Sequence, residues 1–306
     1  MPQSTPLPRG KGLYATFVNV NAPNISVFQS YLDGGLRRLS VFVFVPGTDS
    51  LPTTAGWYTT KEGNQPQGLD TNGSSTVQSW QQLFSELNQQ GVDVGFVFGG
   101  EGGTRHLGTM LKGLNADEQS FRQFVEVLQS YHVSYIEFDI EGTWDTPPDF
   151  ATEFQAFAQN LTTQSGGEIS ILIGASAPVG TVDGASSNLP SYLDNDFAVA
   201  HNVYFNVYTY YTLEVDNVLT DPSPWIPSDT SIGSDRIGFA VSSNAKTHAP
   251  EGQVNFTEFM QSFPSSTFRS TVAESYLGMC VWVWWHRERM YPSANVLELF
   301  EAIPGS

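Results

Sequence analysis

The chain is 306 residues long, with 40% hydrophobic, 13% aromatic and only 14% charged residues, a globular composition able to bury a large core rather than a disordered one. Its 31 acids against 13 basic residues give a formal charge of −18, a field that repels polyphosphate and anionic lipid, so nucleic-acid and membrane partners are not expected. The single cysteine, Cys280, excludes an intramolecular disulfide, and its neighbours Met279, Val281 and Trp282 mark it as an inert core thiol.

In chain order, residues 1–11 of "MPQSTPLPRGKG" are rich in Pro and polar groups and read as a flexible N-terminal tail ahead of one domain over 12–306. The stretch has no apolar run, so it is neither a secretory leader nor an anchor, and an extracellular location would require a leader already removed. Sequons begin at Asn24, Asn72, Asn160 and Asn255. A chain rich in Asn, Ser and Thr yields such triplets by chance, and they imply no compartment.

Short β-branched or aromatic runs then alternate with loops and amphipathic stretches. The predicted strands are 13–20, 38–45, 93–99, 134–141, 169–175, 202–210, 236–242 and 278–285. The predicted helices are 76–90, 116–131, 148–164, 256–264 and 294–303, with only short ones between strands 1 and 2 and between strands 5 and 6. For the helix at 116–131, Asn115 and Glu118 stand at capping-box spacing, and Phe121, Phe124, Val125 and Leu128 form its apolar stripe. Strand–helix alternation means parallel strands, and eight is the number that closes a barrel. A doubly wound sheet would carry a Gly-rich phosphate loop after its first strand, where this chain has "NAPNIS". The expected fold is therefore α/β, a single (β/α)8 TIM barrel.

Within strand 4, "SYIEFDIEGTW" sets Glu137, Asp139 and Glu141 on alternate positions between apolar Ile136, Phe138 and Ile140. Same-face neighbours on a strand lie roughly 7 Å apart. The C-terminal ends of barrel strands face the mouth where active sites are built, so Glu141 belongs at the rim, with Asp139 and Glu137 progressively deeper. A line of like charges cannot ionise cheaply, and at least one pKa should be raised, as a general acid requires. The competing reading is an edge strand with a solvated acidic face. Spacing alone would suggest an inverting pair of acids.

"YIEFDIEG" resembles the strand-4 signature of glycoside hydrolase family 18, Asp-Gly-x-Asp-x-Asp-x-Glu, with Asp139 and Glu141 matching outright. "GFVFGGEGG" (95–103) is similar to the family's strand 3. "ILIGASAP" (171–178) and "VYFNVY" (203–208) are similar to strands 5 and 6 of its plant-type chitinases, and "GMCVW" (278–282) to strand 8. Residues 1–90 show only generic barrel pattern.

The resemblance implies a retaining hydrolase of β-1,4 bonds beside N-acetylglucosamine, acting on chitin-like polysaccharide or, alternatively, on N-glycan cores. It implies that Glu141 protonates the glycosidic oxygen and that Asp139 orients and stabilises the attacking acetamido group of the substrate itself. Tyr208 would bind that group's oxygen, Asn206 would stand at the family's Gln or Met position, and Trp282 would floor the sugar. Two departures from the signature bear on activity. Glu137 replaces an Asp that shares a proton with the next acid, and Ser134-Tyr135 replaces Asp-Gly. A further alternative is a barrel that binds carbohydrate but turns it over weakly or not at all.

Trp57, Trp144 and Trp225 follow strands 2, 4 and 6, where flat rings would suit sugar CH faces. Alternation puts Trp284 on the side of Trp282, whereas Trp80 lies in a helix and reads as core. The five histidines are scattered without ligand spacing, so no metal or cofactor is expected. A monomer is expected.

Overall fold

The computed structural model describes residues 6–16, 22–44, 76–100, 107–140, 150–176, 194–209, 231–242, 260–282 and 294–305. Eight strands close into a barrel in sequence order. They are β1 (Lys11–Thr16), β2 (Leu36–Phe44), β3 (Asp93–Gly99), β4 (Tyr135–Ile140), β5 (Ser170–Ser176), β6 (Val203–Tyr208), β7 (Ile237–Ser242) and β8 (Gly278–Trp282). All neighbours pair in parallel, and β1 meets β8 to close the ring. Strand 4 is thus an inner member of a closed sheet, which removes the edge-strand reading.

The described helices are α1 (Gln29–Asp33), α2 (Val77–Gln89), α3 (Leu107–Ala116), α4 (Glu118–Ser130), α5 (Phe150–Gln164), α6 (Asn195–Ala200), α7 (Thr267–Ser275) and α8 (Ala294–Ala302). Helix α2 begins where the Thr76 side chain accepts from Ser79 N, and it buries Trp80, Leu83, Phe84 and Leu87, one helical stripe. The outward faces of the strands meet these stripes. Phe96 packs on Phe84 and Tyr131, and Phe138 packs on Phe154 and Phe157.

Three boundaries differ from the sequence reading. The cap of α4 is Asp117, which accepts from Gln119 N and Ser120 N. Asn115 instead ends the preceding helix and donates its amide to Glu153 O and Oε2. Two glycines, Gly108 and Gly113, hide α3 from propensity reasoning. Of the helix predicted over 256–264, residues 260–262 are helical and run into a 3-10 turn (Phe263–Ser265), residues 256–259 lie outside the described residues, and a separate helix, α7, follows with Ser266 as its cap.

Residues 6–10, assigned above to the tail, lie against the barrel floor. Leu7 packs with Tyr135, Leu172, Tyr204 and Leu277, and its backbone N–H donates to the Tyr204 hydroxyl at 3.1 Å. Arg9 donates to the carbonyls of Tyr276 and Glu274. Among the described residues no helix is long and apolar enough to cross a membrane.

Candidate active site

Period-2 alternation turns Tyr135, Glu137 and Asp139 of β4 into the barrel, and all three are sealed from solvent. Glu137 is the hub. Its Oε1 accepts from the Tyr14 hydroxyl on β1 and, at 3.0 Å, from the Tyr208 hydroxyl on β6. Its Oε2 accepts from Ser40 Oγ on β2 at 3.0 Å. The Tyr14 hydroxyl in turn accepts from the Asn206 amide, and Ser40 Oγ shares a 2.7 Å hydrogen bond with the Tyr135 hydroxyl. One carboxylate thereby ties together four strands.

The sheared register explains how these groups meet. Trp282, Tyr14, Ser40, Gly95 and Tyr135 stand in one row across β8, β1, β2, β3 and β4. Gly95 is the gap in that row, since a Cβ there would overlap the Tyr135 ring. The ring therefore lies across β3 and brings its hydroxyl to Ser40. Tyr135 is accommodated inside the barrel in this way.

Asp139 pairs with Gly99 on one side and Gly174 on the other. Gly99 has φ +123, and a Cβ there would overlap the Asp139 carbonyl, which accepts from Gly100 N at 2.9 Å. The glycines ending β3 thus let the strand close on β4 beside the acid. A Cβ on Gly174 would overlap the Tyr208 hydroxyl and stand 2.7 Å from Glu137 Oε1.

Burial pushes the Glu137 pKa up to about 7, against the lowering effect of hydrogen bonds from Tyr14, Tyr208 and Ser40 and of the Arg38 charge. A buried carboxyl poised near neutrality can hold or release a proton beside Asp139. Of the acids on strand 4, the deepest, Glu137, thus carries a raised pKa. Burial also raises Tyr14 and Tyr135, helped by the nearby Glu137 charge, which keeps both as hydrogen-bond donors. Cys280 is buried, and burial raises its thiol as well, consistent with an inert core residue.

Trp282 ends the described part of β8 at 6% exposure and forms an aromatic cluster with Tyr14 (centroids 5.2 Å apart), Phe42 (4.9 Å) and Tyr208 (6.5 Å). The structure therefore brings Glu137, Asp139, Tyr208, Asn206 and Trp282 into one interior. Two of them also hydrogen-bond within the hub. Asn206 is fully buried, and its Nδ2 donates to the Tyr14 hydroxyl, which links it to the acid hub. Tyr208 gives its hydroxyl to Glu137. Glu141, Trp57, Trp144, Trp225 and Trp284 lie outside the described residues.

Tyr14, Ser40 and Arg38 carry no expectation from sequence, and Tyr135 only that of a departure from the strand-4 signature. A signal existed: "LRRLSVFVF" sets Arg38 and Ser40 on alternate positions of an apolar strand, the same polar period that marked strand 4. No group of three or more metal-ligating side chains occurs among the described residues.

No sequence-family profile matches the chain, and no curated protein matches it significantly. Solved structures do. A GH18 chitinase from Pseudoalteromonas aurantia superposes with a TM-score of 0.63 at 10% identity, covering 96% of this chain and 100% of that one. A chitinase from Rhizomucor miehei gives 0.61 at 11% identity, covering 96% and 99%. The GH18 chitinase from the chitin utilization locus of Flavobacterium johnsoniae gives 0.55 at 9%, covering 96% and 93%. At such identities the likeness is one of fold.

Proposed function

We propose that this chain is a retaining glycoside hydrolase that cleaves β-1,4 bonds beside N-acetylglucosamine, in chitin or chitooligosaccharides, with residues 12–306 as one catalytic barrel. The observation that carries the reading is the meeting of Asp139, a proton-poised Glu137, Tyr208 and Trp282 in one barrel interior. The shared fold with chitinases from three organisms supports it.

In this reading Glu141, the next acid in the period of β4, protonates the glycosidic oxygen as the bond to the leaving sugar breaks. The acetamido oxygen of the substrate attacks the anomeric carbon, and Asp139 orients that group and offsets its developing positive charge. Water then opens the cyclic intermediate and returns a proton to Glu141. Glu137 shares a proton with Asp139 as the charge on that acid changes. Because Tyr208 donates to Glu137, it reaches an acetamido oxygen only by exchanging partners.

The test compares release of reducing ends from chitin oligosaccharides and from a high-mannose glycopeptide by the native protein and by Glu141→Gln. Loss of a general acid should lower the rate about 10²–10⁴-fold. Cleavage of the glycopeptide alone would redirect the proposal to N-glycan cores, and binding without cleavage would favour a carbohydrate-binding barrel. Equal rates for both proteins would remove Glu141 as the acid.

A further inference from the structure

Arg38 is an unusual residue to find inside a barrel. It stands two positions before Ser40 on β2, in a register row with Cys280 of β8, Gly12 of β1 and Asp93 of β3. Gly12 makes the row possible, since a Cβ there would overlap Cys280 Sγ and come 3.6 Å from Arg38 Cβ. The guanidinium is 1% exposed. Its Nη2 donates to Gly10 O at 3.1 Å, whereas Nε and Nη1 are buried with no hydrogen-bond partner among the described residues.

Arginine does not shed its proton in proteins, so a full positive charge is fixed below the acids. Such a charge is costly to bury unless something opposite in sign answers it. The titratable or charged groups that hydrogen-bond Glu137 or interact with its charge are Tyr14 from β1, Arg38 from β2, Tyr135 from β4, Tyr208 from β6 and Cys280 from β8, with Asp139 two positions on along β4 and Asp93 of β3 beside Arg38 in its row. Between them β5 and β7 contribute Leu172, Gly174, Gly238 and Ala240, which carry no charge. Arg38 is the one cation of this set.

We propose that Arg38 is a positioning residue of the acidic site: its sealed guanidinium, one step beneath the Ser40 hydroxyl that holds Glu137 Oε2, supplies the positive charge that keeps Glu137 ionisable. The role rests on the hydrolase reading for its purpose, though not for its test. Arg38 touches no reacting atom in this scheme. It acts by deciding whether Glu137 can give up the proton it shares with Asp139, and the layered order Arg38, Ser40, Glu137 is the structural means. The Arg38 charge also opposes the effect of burial on Asp93, Tyr135 and Cys280, as expected of a cation central to the floor.

The test is an infrared titration of the protonated-carboxyl C=O band, assigned to Glu137 by its loss in Glu137→Gln. In the native protein the band should fade with a midpoint near pH 7. A band that persists to pH 9 overturns the proposal without any variant. At an effective dielectric near ~20, losing one buried unit charge from the neighbourhood of an acid moves its midpoint by about one pH unit. Arg38→Gln should therefore raise it by that amount and Arg38→Lys should bring it back toward the native value. A midpoint in folded Arg38→Gln within about 0.3 units of native would overturn the assignment, because a purely structural role predicts no charge-specific shift. The band reports Glu137 whether or not sugar is cleaved. An inert protein with the expected shift would thus retire the hydrolase reading and leave the Arg38 assignment standing.

Discussion

Replacing Glu137 by Gln should change how stability depends on pH, by an amount that follows from the geometry of the hub. The carboxyl is 0% exposed and its pKa stands at about 7, against a reference value of 4.5. The folded protein therefore holds a proton that the unfolded chain has already lost over that interval. By linkage, stability from this group is fully present below 4.5 and is lost as pH rises through 7. A difference of about 2.5 units at 1.36 kcal/mol each comes to about 3 kcal/mol. Gln keeps the shape: its Oε1 can still accept from Tyr14 and Tyr208, and its amide can donate to Ser40. The assay is urea unfolding of both proteins at pH 4.5 and pH 8. Subtracting the pH effect in the variant from that in the native protein cancels every other titrating group. A double difference of about 3 kcal/mol is expected, with the native protein the one that weakens at pH 8. A value near zero would refute the buried, proton-poised hub.

Tyr208→Phe removes a donor to the ionised form of Glu137, so the infrared midpoint of that acid should rise, by about one unit for a hydrogen bond to a charged group worth about 1.5 kcal/mol; an unchanged midpoint would show that the hydroxyl serves elsewhere. Gly174→Ala sets a methyl on the Tyr208 hydroxyl and 2.7 Å from Glu137 Oε1, an overpacking that should cost about 1–3 kcal/mol in urea unfolding and raise the same midpoint. Native-like stability together with a native midpoint would mean that β5 can shift to make room.

Much of the barrel was legible because its strands are short, apolar and regularly separated by turns, and because strand 4 carries its acids at strict period 2. That period also carried the inward placement of Glu137 and Asp139, since Ile136, Phe138 and Ile140 needed helices to cover them. The floor was harder. Which residue faces Glu137 depends on the shear of the sheet, and shear is a property of eight strands together rather than of any one segment. Tyr14 and Ser40 share a row with Gly95 and Tyr135 only once that stagger is known. Asn206 shows the opposite difficulty. Its position in the strand was readable, but not that its Nδ2 would donate to the Tyr14 hydroxyl across the barrel.

The glutamate at 137 was an anomaly in sequence terms, one methylene longer than the family resemblance would place there, and an added methylene in a packed interior must be absorbed by strain or by space. The structure supplies space. Oε1 of Glu137 extends toward the side of β5 where Gly174 has no Cβ, so the longer arm passes over bare backbone to meet Tyr14 and Tyr208. The same logic governs the row below, where Tyr135 occupies the volume that Gly95 leaves empty. Large polar side chains and glycines are thus matched across neighbouring strands, and the departures at 135 and 137 belong to one rearranged interior. A lone substitution toward a shorter acid would leave that volume unfilled and draw the carboxylate away from two of its donors. By this argument the unusual residues are a coupled set, and changing one of them tests the whole set.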